Sequence, residues 1–286
     1  MSTSFNHLTA ASRESFALGI ENLVQIIEPE LIVCYGTRVR TVSAWSPFLQ
    51  EPVPATRGEY DILIVLREGD HRRDHEIIDM IERRNTEDLI FMAVVHRLEG
   101  VREALLNNST FFTTVCREGV PVYGTTASLH EYAPAVVVQQ DLAELTCQWD
   151  RWFGLSRNFL STATESASRG WYSLAVFMLH QATEHACIAV VRVCMGYRPS
   201  THSLTRLLRL VGNLSTQVSS IFPCFTDEER ELFGILQRAY LDARYREVYS
   251  VSAEDTAILI RRVGKLQRLA ETFYEKKRFL LEEGIA

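Results

Sequence analysis

Apolar residues in the first 135 positions follow two rhythms in turn. Phe16, Ile20, Leu23 and Ile27 recur at helical spacing, so a helix is expected from a cap at Ser12 to about Ile27, with Pro29 ending it. Residues 31–35 (LIVCY) form a short apolar run that stops at Gly36 and reads as a buried strand. An irregular stretch with Pro47, Pro52 and Pro54 follows. Two further apolar strands are expected at 60–66 (YDILIVL) and 89–95 (LIFMAVV), with a helix over 71–84 between them and a short one over 98–106 after. The segment FFTTVCREGVPVYG closes this half as helix, turn and strand. Strands that alternate with helices argue an α/β (α+β) fold.

Past residue 135 the strand rhythm disappears. Helical periodicity covers roughly 136–164, 169–195, 204–214, 227–247 and 253–283, punctuated by Gly196, Pro199 and Pro223. Short turns between long helices predict an all-α bundle of antiparallel neighbours. The expected organisation is therefore a first domain over 1–123, a linker over 124–135 and a helical domain over 136–286.

A chain of 286 residues accommodates two domains of ordinary size. No apolar run reaches the ~18 residues of a membrane span, so no membrane segment is expected. The first ten residues, MSTSFNHLTA, lack the basic and apolar regions of a secretory signal. The six cysteines make no CxxC pair and mostly lie in apolar stretches; they read as buried free thiols in a reducing cytoplasm. Residues 1–135 carry 12 Arg/Lys against 19 Asp/Glu, and the remainder 18 against 17. Neither half has the basic excess of a non-specific duplex binder.

Candidate chemistry in the first half centres on Gly36, Thr37, Glu59 and Asp61. Gly36 and Thr37 follow a strand, where backbone N–H groups can approach phosphate oxygens. Glu59 and Asp61 are two apart at the start of the next strand, so both carboxylates leave one face and can converge on one divalent ion. In the long loop between them, Trp45 and Phe48 either stack on a base or fold back as a local plug.

This arrangement resembles the minimal nucleotidyltransferase family, in which a strand, Gly-Ser, a loop and Asp-x-Asp succeed one another. The resemblance covers about residues 12–123. It implies that Thr37 is the phosphate-side hydroxyl and that Glu59 and Asp61 are the catalytic, metal-holding carboxylates, with Mg²⁺ as the ion. The chain departs from the pattern at three points. Glu59 replaces the first Asp, the loop is longer, and the strand LIFMAVVH offers only His96 where a third carboxylate is expected.

In the second half, the helix RGWYSLAVFMLHQATEHACIAVVRVCMG, the turn YRPSTHSL and the helix end RAYLDARYREVYSV resemble the HEPN family. Many members are metal-independent ribonucleases that use an Arg and a His four to six residues apart. Here Arg244, Tyr245, Arg246 and Tyr249 occupy that stretch, and a tyrosine stands where the His is expected. A phenol, with a reference pKa of about 10, is a poor base at neutral pH. The variant resembles the non-catalytic, sacsin-like branch. That resemblance implies nucleotide binding through Arg244, Arg246, Tyr245 and Tyr249. It also implies that a homodimer can form through the helices.

His180 and Glu184 lie one helical turn apart and read as an internal hydrogen bond. Thr201 reads as the N-cap of the next helix and His202 as a shield of the turn. Arg261, Lys265 and Arg268 share a face of the last helix and read as a solvated stripe. The reading that follows is a cytoplasmic, nucleotide-binding two-domain protein whose ligand is a nucleoside triphosphate or another nucleotide, with RNA not favoured. The alternatives are an active Mg²⁺-dependent nucleotidyltransferase acting on a small molecule or protein, and a toxin–antitoxin type ribonuclease fusion.

Overall fold

The computed structural model describes residues 5, 7–43, 54–132, 141–245 and 249–284. They form two compact units, Met1–Val138 and Gln139–Ala286. Trp45, Phe48 and Arg246 lie outside the described residues, as do the last three positions of the expected linker.

The first unit is a four-stranded mixed sheet with helices on both faces. Its elements are α1 (Ala10–Ile27), β1 (Leu31–Ser43), β2 (Pro54–Leu66), α2 (Asp74–Glu82), β3 (Leu89–Arg97), α3 (Leu98–Leu106), α4 (Thr110–Glu118), β4 (Val120–Tyr123) and the single turn α5 (Ala127–His130). Strand order is β3-β2-β1-β4; β1 runs antiparallel to β2 and β4, and β2 runs parallel to β3 through the α2 crossover.

One face of the sheet carries Ile32, Cys34, Tyr60, Ile62, Ile64, Phe91 and Val95. These pack on Phe16, Ile20, Leu23 and Ile27 of α1 and on Ile77 and Ile81 of α2. Phe16 sits on the Tyr60 ring, with centroids 4.3 Å apart. The opposite face, with Val33 and Val65, meets α3 and α4, which bury Val101, Leu105, Phe112 and Val115.

Three boundaries differ from the sequence reading. Helix α1 is capped by Thr9, whose hydroxyl accepts from the Ser12 backbone N–H at 3.1 Å. Strand β1 does not stop at Gly36. It continues to Ser43 through a stretch rich in β-branched residues (Thr37, Val39, Thr41 and Val42), which favour extended backbone. The extra length is absorbed by a bulge at Tyr35: Cys34 pairs with Ile62, but Gly36 pairs with Asp61. The stretch read as linker contains α5, whose Leu129 is buried in the first unit.

The second unit is all helix: α6 (Leu142–Ser168), α7 (Tyr172–Val190) running on into a π-helical turn (Val191–Met195), α8 (Leu204–Gly212), α9 (Gln217–Ile221), α10 (Asp227–Tyr245) and α11 (Ala253–Glu282). Helix α7 is the core element, contacted by α6, α8, α10 and α11. Its small residues Ala175, Ala182, Ala186 and Ala189 are fully buried and let neighbouring helices approach closely. The segment Tyr172–Met195 is long and apolar enough to cross a bilayer, yet 72% of its most apolar window is buried inside this unit, where its apolarity is used in packing.

A buried polar relay ties three helices. Gln267 Nε2 donates to Ser156 Oγ at 2.8 Å, and Ser156 Oγ donates to the Ala182 carbonyl at 2.6 Å. Trp149 stacks between Phe153 and Tyr274, at 4.2 and 4.4 Å. None of the six cysteines is in a disulfide. Cys34, Cys116 and Cys187 are buried as expected, but Cys147 and Cys224 are exposed.

Candidate functional site

The carboxylate pair of the first unit stands as the residue parity requires. Glu59 and Asp61 leave β2 on the face opposite Tyr60, and both are buried, at 8% and 1% exposure. The adjoining position on β1 is Arg38, paired in register with Glu59. Its Nη1 donates to Asp61 Oδ2 at 3.0 Å. Arg57 Nε lies 3.4 Å from Glu59 Oε1. On the other side, β3 places Ile90 beside Glu59 and Met92 beside Asp61. Among the described residues, no cluster of three or more His, Cys, Asp or Glu is arranged to hold a metal ion.

Gly36 and Thr37 do not form a turn that faces these acids. Both lie within β1, with Gly36 opposite Asp61 and Thr37 opposite Tyr60. Cross-strand partners share a face, so Thr37 emerges on the α1 side of the sheet. There its hydroxyl meets His7 Nε2 at 2.7 Å. The hydroxyl and the carboxylates expected in one site are on opposite faces.

His96 ends β3 with its ring edge-on to Phe112, at 4.9 Å. Burial holds its pKa below the usual histidine value; Asp74 partly offsets this and Arg97 adds to it. A neutral imidazole in an aromatic setting does not replace the expected third carboxylate.

In the second unit the motif residues converge. His180 Nδ1 faces the Leu236 carbonyl on α10 at 3.0 Å. A carbonyl only accepts, so Nδ1 carries the proton. His180 Nε2 lies 3.6 Å from Glu184 Oε2, and His202 Nδ1 lies 2.8 Å from Glu184 Oε1. Burial alone would raise the Glu184 carboxyl. The imidazoles of His180 and His202 beside it, the latter hydrogen-bonded to Oε1, outweigh this and hold the pKa below its usual value. His202 therefore does more than shield the turn: it anchors it to α7. Thr201 does not cap α8. Its hydroxyl accepts from the Ser203 backbone N–H at 3.1 Å, and Ser203 is the N-cap.

The Tyr240 ring lies 5.7 Å from His180. Arg244 folds back over that ring at 3.8 Å and donates from Nε to the Tyr240 carbonyl at 3.0 Å. Tyr245 is 73% exposed. Tyr249 is drawn to the start of α7 through its carbonyl, which accepts from Ser173 Oγ at 2.9 Å. One strip thus joins Glu184, His180, Tyr240 and Arg244.

Residues 149–280 match the family described as the HEPN domain. These residues form a HEPN domain. The solved structure of a nucleotidyltransferase-like protein from Exiguobacterium sibiricum 255-15 is similar to this chain at 12% identity, with a TM-score of 0.32, covering 95% of this chain and 79% of that one. No curated protein matches the chain. The HEPN domain holds the whole Glu184–His180–Tyr240–Arg244 strip. The sequence singled out His180, Glu184 and Arg244. It gave no sign of Tyr240 or of Leu236, since a ring in contact and a backbone carbonyl carry no motif.

Proposed function

We propose that this protein binds nucleotides without transferring them: a nucleotidyltransferase-type sheet domain whose acids are engaged within the protein, joined to a HEPN domain that binds phosphate and does not cleave RNA. The observation that carries the reading is the bond from Arg38 to the buried Asp61. A guanidinium bonded to Asp61 neutralises the charge that would otherwise draw a divalent ion. The apolar Ile90 and Met92 on β3 stand where a further oxygen ligand would have to come from. The residues present therefore do not fit a resident Mg²⁺.

In the HEPN domain, Arg244, Tyr245 and Tyr249 remain the candidate phosphate and base contacts, with Arg246 beside them in sequence. The free thiols suit a reducing, cytoplasmic setting. A homodimer through the helices belongs to the same reading.

The test is incubation of the full chain with labelled nucleoside triphosphates, Mg²⁺ and a mixed acceptor extract, alongside calorimetry of triphosphate binding. Measurable binding with no label incorporated is the expected result. Rapid incorporation that is lost in Asp61→Asn would overturn it and restore the Mg²⁺-dependent transferase.

A further inference from the structure

The chain holds 30 Lys and Arg together, and only three of them are lysines: Lys265, Lys276 and Lys277. All three line one cavity of the HEPN domain, together with Arg268. The cavity has a volume of about 770 Å³ and lies between α11, the α8–α9 connection with α9, and Cys194 of the π-helical turn. Among the described residues no Asp or Glu lines it. Lys265 and Arg268, expected from the sequence as part of a solvated stripe with Arg261, are exposed and also line this open cleft, whereas Arg261 is outside it.

Among the described residues none of these four cations makes an ion pair. Arg278, on the same helix, is bound to Glu275 and Glu282. Lys276 lies eleven positions after Lys265, a rise of about 16 Å along α11. Two cations therefore stand toward each end of the cleft. Leu269 and Phe273 form an apolar middle, and Ser215, Ser220 and Thr272 add hydroxyls. Opposite, burial pushes the Cys194 thiol up to about 12, against a smaller opposing effect of Lys277, so it stays uncharged and does not repel an anion.

A volume of this size falls in the range of about 300–1,000 Å³ typical of small-molecule sites. Lysine supplies a flexible point charge with three donors, well suited to phosphate oxygens. The apolar middle suits a ring or chain rather than a bare inorganic anion. We infer that this cleft is a binding site for a phosphorylated small molecule of nucleotide size, its phosphates on Lys265, Arg268, Lys276 and Lys277 and its apolar body on Leu269 and Phe273. The nucleotide identity rests on the function proposed above. The anion site itself rests only on the cleft.

Because every lysine of the protein is in the cleft, amine chemistry reports on it alone, apart from the N-terminus. The full chain is treated with an amine-acylating reagent, and each lysine is quantified by mass spectrometry with ATP, inorganic tripolyphosphate or a six-nucleotide RNA present. In parallel, ATP affinity is measured for the native chain, for Lys265→Glu, for Lys276→Glu and for Arg261→Glu, each checked for folding by circular dichroism. ATP should protect all three lysines, and its affinity should fall about tenfold in each lysine variant and stay unchanged in Arg261→Glu. Tripolyphosphate should protect more weakly. ATP binding that leaves the lysines reactive and survives both lysine substitutions would overturn the cleft while leaving nucleotide binding intact. Equal protection by ATP and tripolyphosphate would remove the nucleotide and keep an anion site. RNA that protects at lower concentration than ATP would overturn the small-molecule assignment, and no binding of any probe would overturn both.

Discussion

Arg38 and Asp61 stand on adjacent strands of one sheet with 3.0 Å between guanidinium nitrogen and carboxylate oxygen, the arginine partly open to solvent and the aspartate almost wholly buried. Removing the cation leaves a buried acid without this partner. Arg38→Ala should lower stability by on the order of 2 kcal/mol, read from urea unfolding of the native chain and the variant. Adding Asp61→Asn in that background should recover part of the loss, since a neutral amide is cheaper to bury. If the double variant is weaker than Arg38→Ala alone, the pair is not coupled in this way.

Glu184 gives the HEPN domain a dependence on acid. Its carboxyl is depressed in the folded state by His180 and His202 against the pull of burial. A depressed carboxyl contributes stability that is fully present above its unfolded pKa of about 4.3 and is lost as pH falls through the lower folded value. Glu184→Gln should therefore cost about 1–3 kcal/mol at pH 7. The cost should shrink as pH falls through 4, as measured by denaturant midpoints at several pH values. A cost that does not change with pH would mean that the carboxylate charge is not what holds the two histidines.

The close approach of α1 to the sheet depends on Gly19. A Cβ there would lie 2.7 Å from the Phe91 ring and 2.7 Å from Leu89. Gly19→Ala gains about 1 kcal/mol of helix propensity but must displace a buried aromatic ring, which typically costs about 1–3 kcal/mol. A net loss of thermal stability is expected, and a rise in the melting midpoint would contradict the packing.

RNA should remain intact in the presence of the full chain. Arg244 is folded over the ring of its own helix, and a tyrosine occupies position 249 where an imidazole would act as base. Prolonged incubation with labelled RNA, followed by gel analysis, tests this. Cleavage that copurifies with the protein and disappears in Arg244→Ala would identify a ribonuclease.

Most of the architecture could be read from periodicity. The 3.6-residue rhythm of Phe16, Ile20, Leu23 and Ile27 and the solid apolar run of 62–66 each point to one kind of element. The carboxylate pair was equally legible, because parity along a strand is a local property. What surrounds it was not. Residues 37–42 mix Thr, Arg and Val with no continuous apolar run to mark them as strand, and Arg38 was invisible as the partner of Asp61. Short elements escaped for a similar reason: α5 and α9 are too brief to establish a period. The cleft on α11 was missed because a helix face shows only its own cations; the α8–α9 segment that makes it concave lies some fifty residues earlier.

The bulge at Tyr35 decides which side chain meets the acids. In an unbroken ladder continuing from Cys34 opposite Ile62, Tyr35 would pair with Asp61 and Thr37 with Glu59, which would turn the hydroxyl toward the carboxylates and Arg38 toward the helices. The sheet instead stores one surplus residue before Gly36, and every side chain beyond it inverts. Moving that surplus a few positions along β1, with no change in composition, would exchange a guanidinium for a hydroxyl beside the same two carboxylates. In this sheet the chemistry offered to the acids is set by where the strand keeps its spare residue.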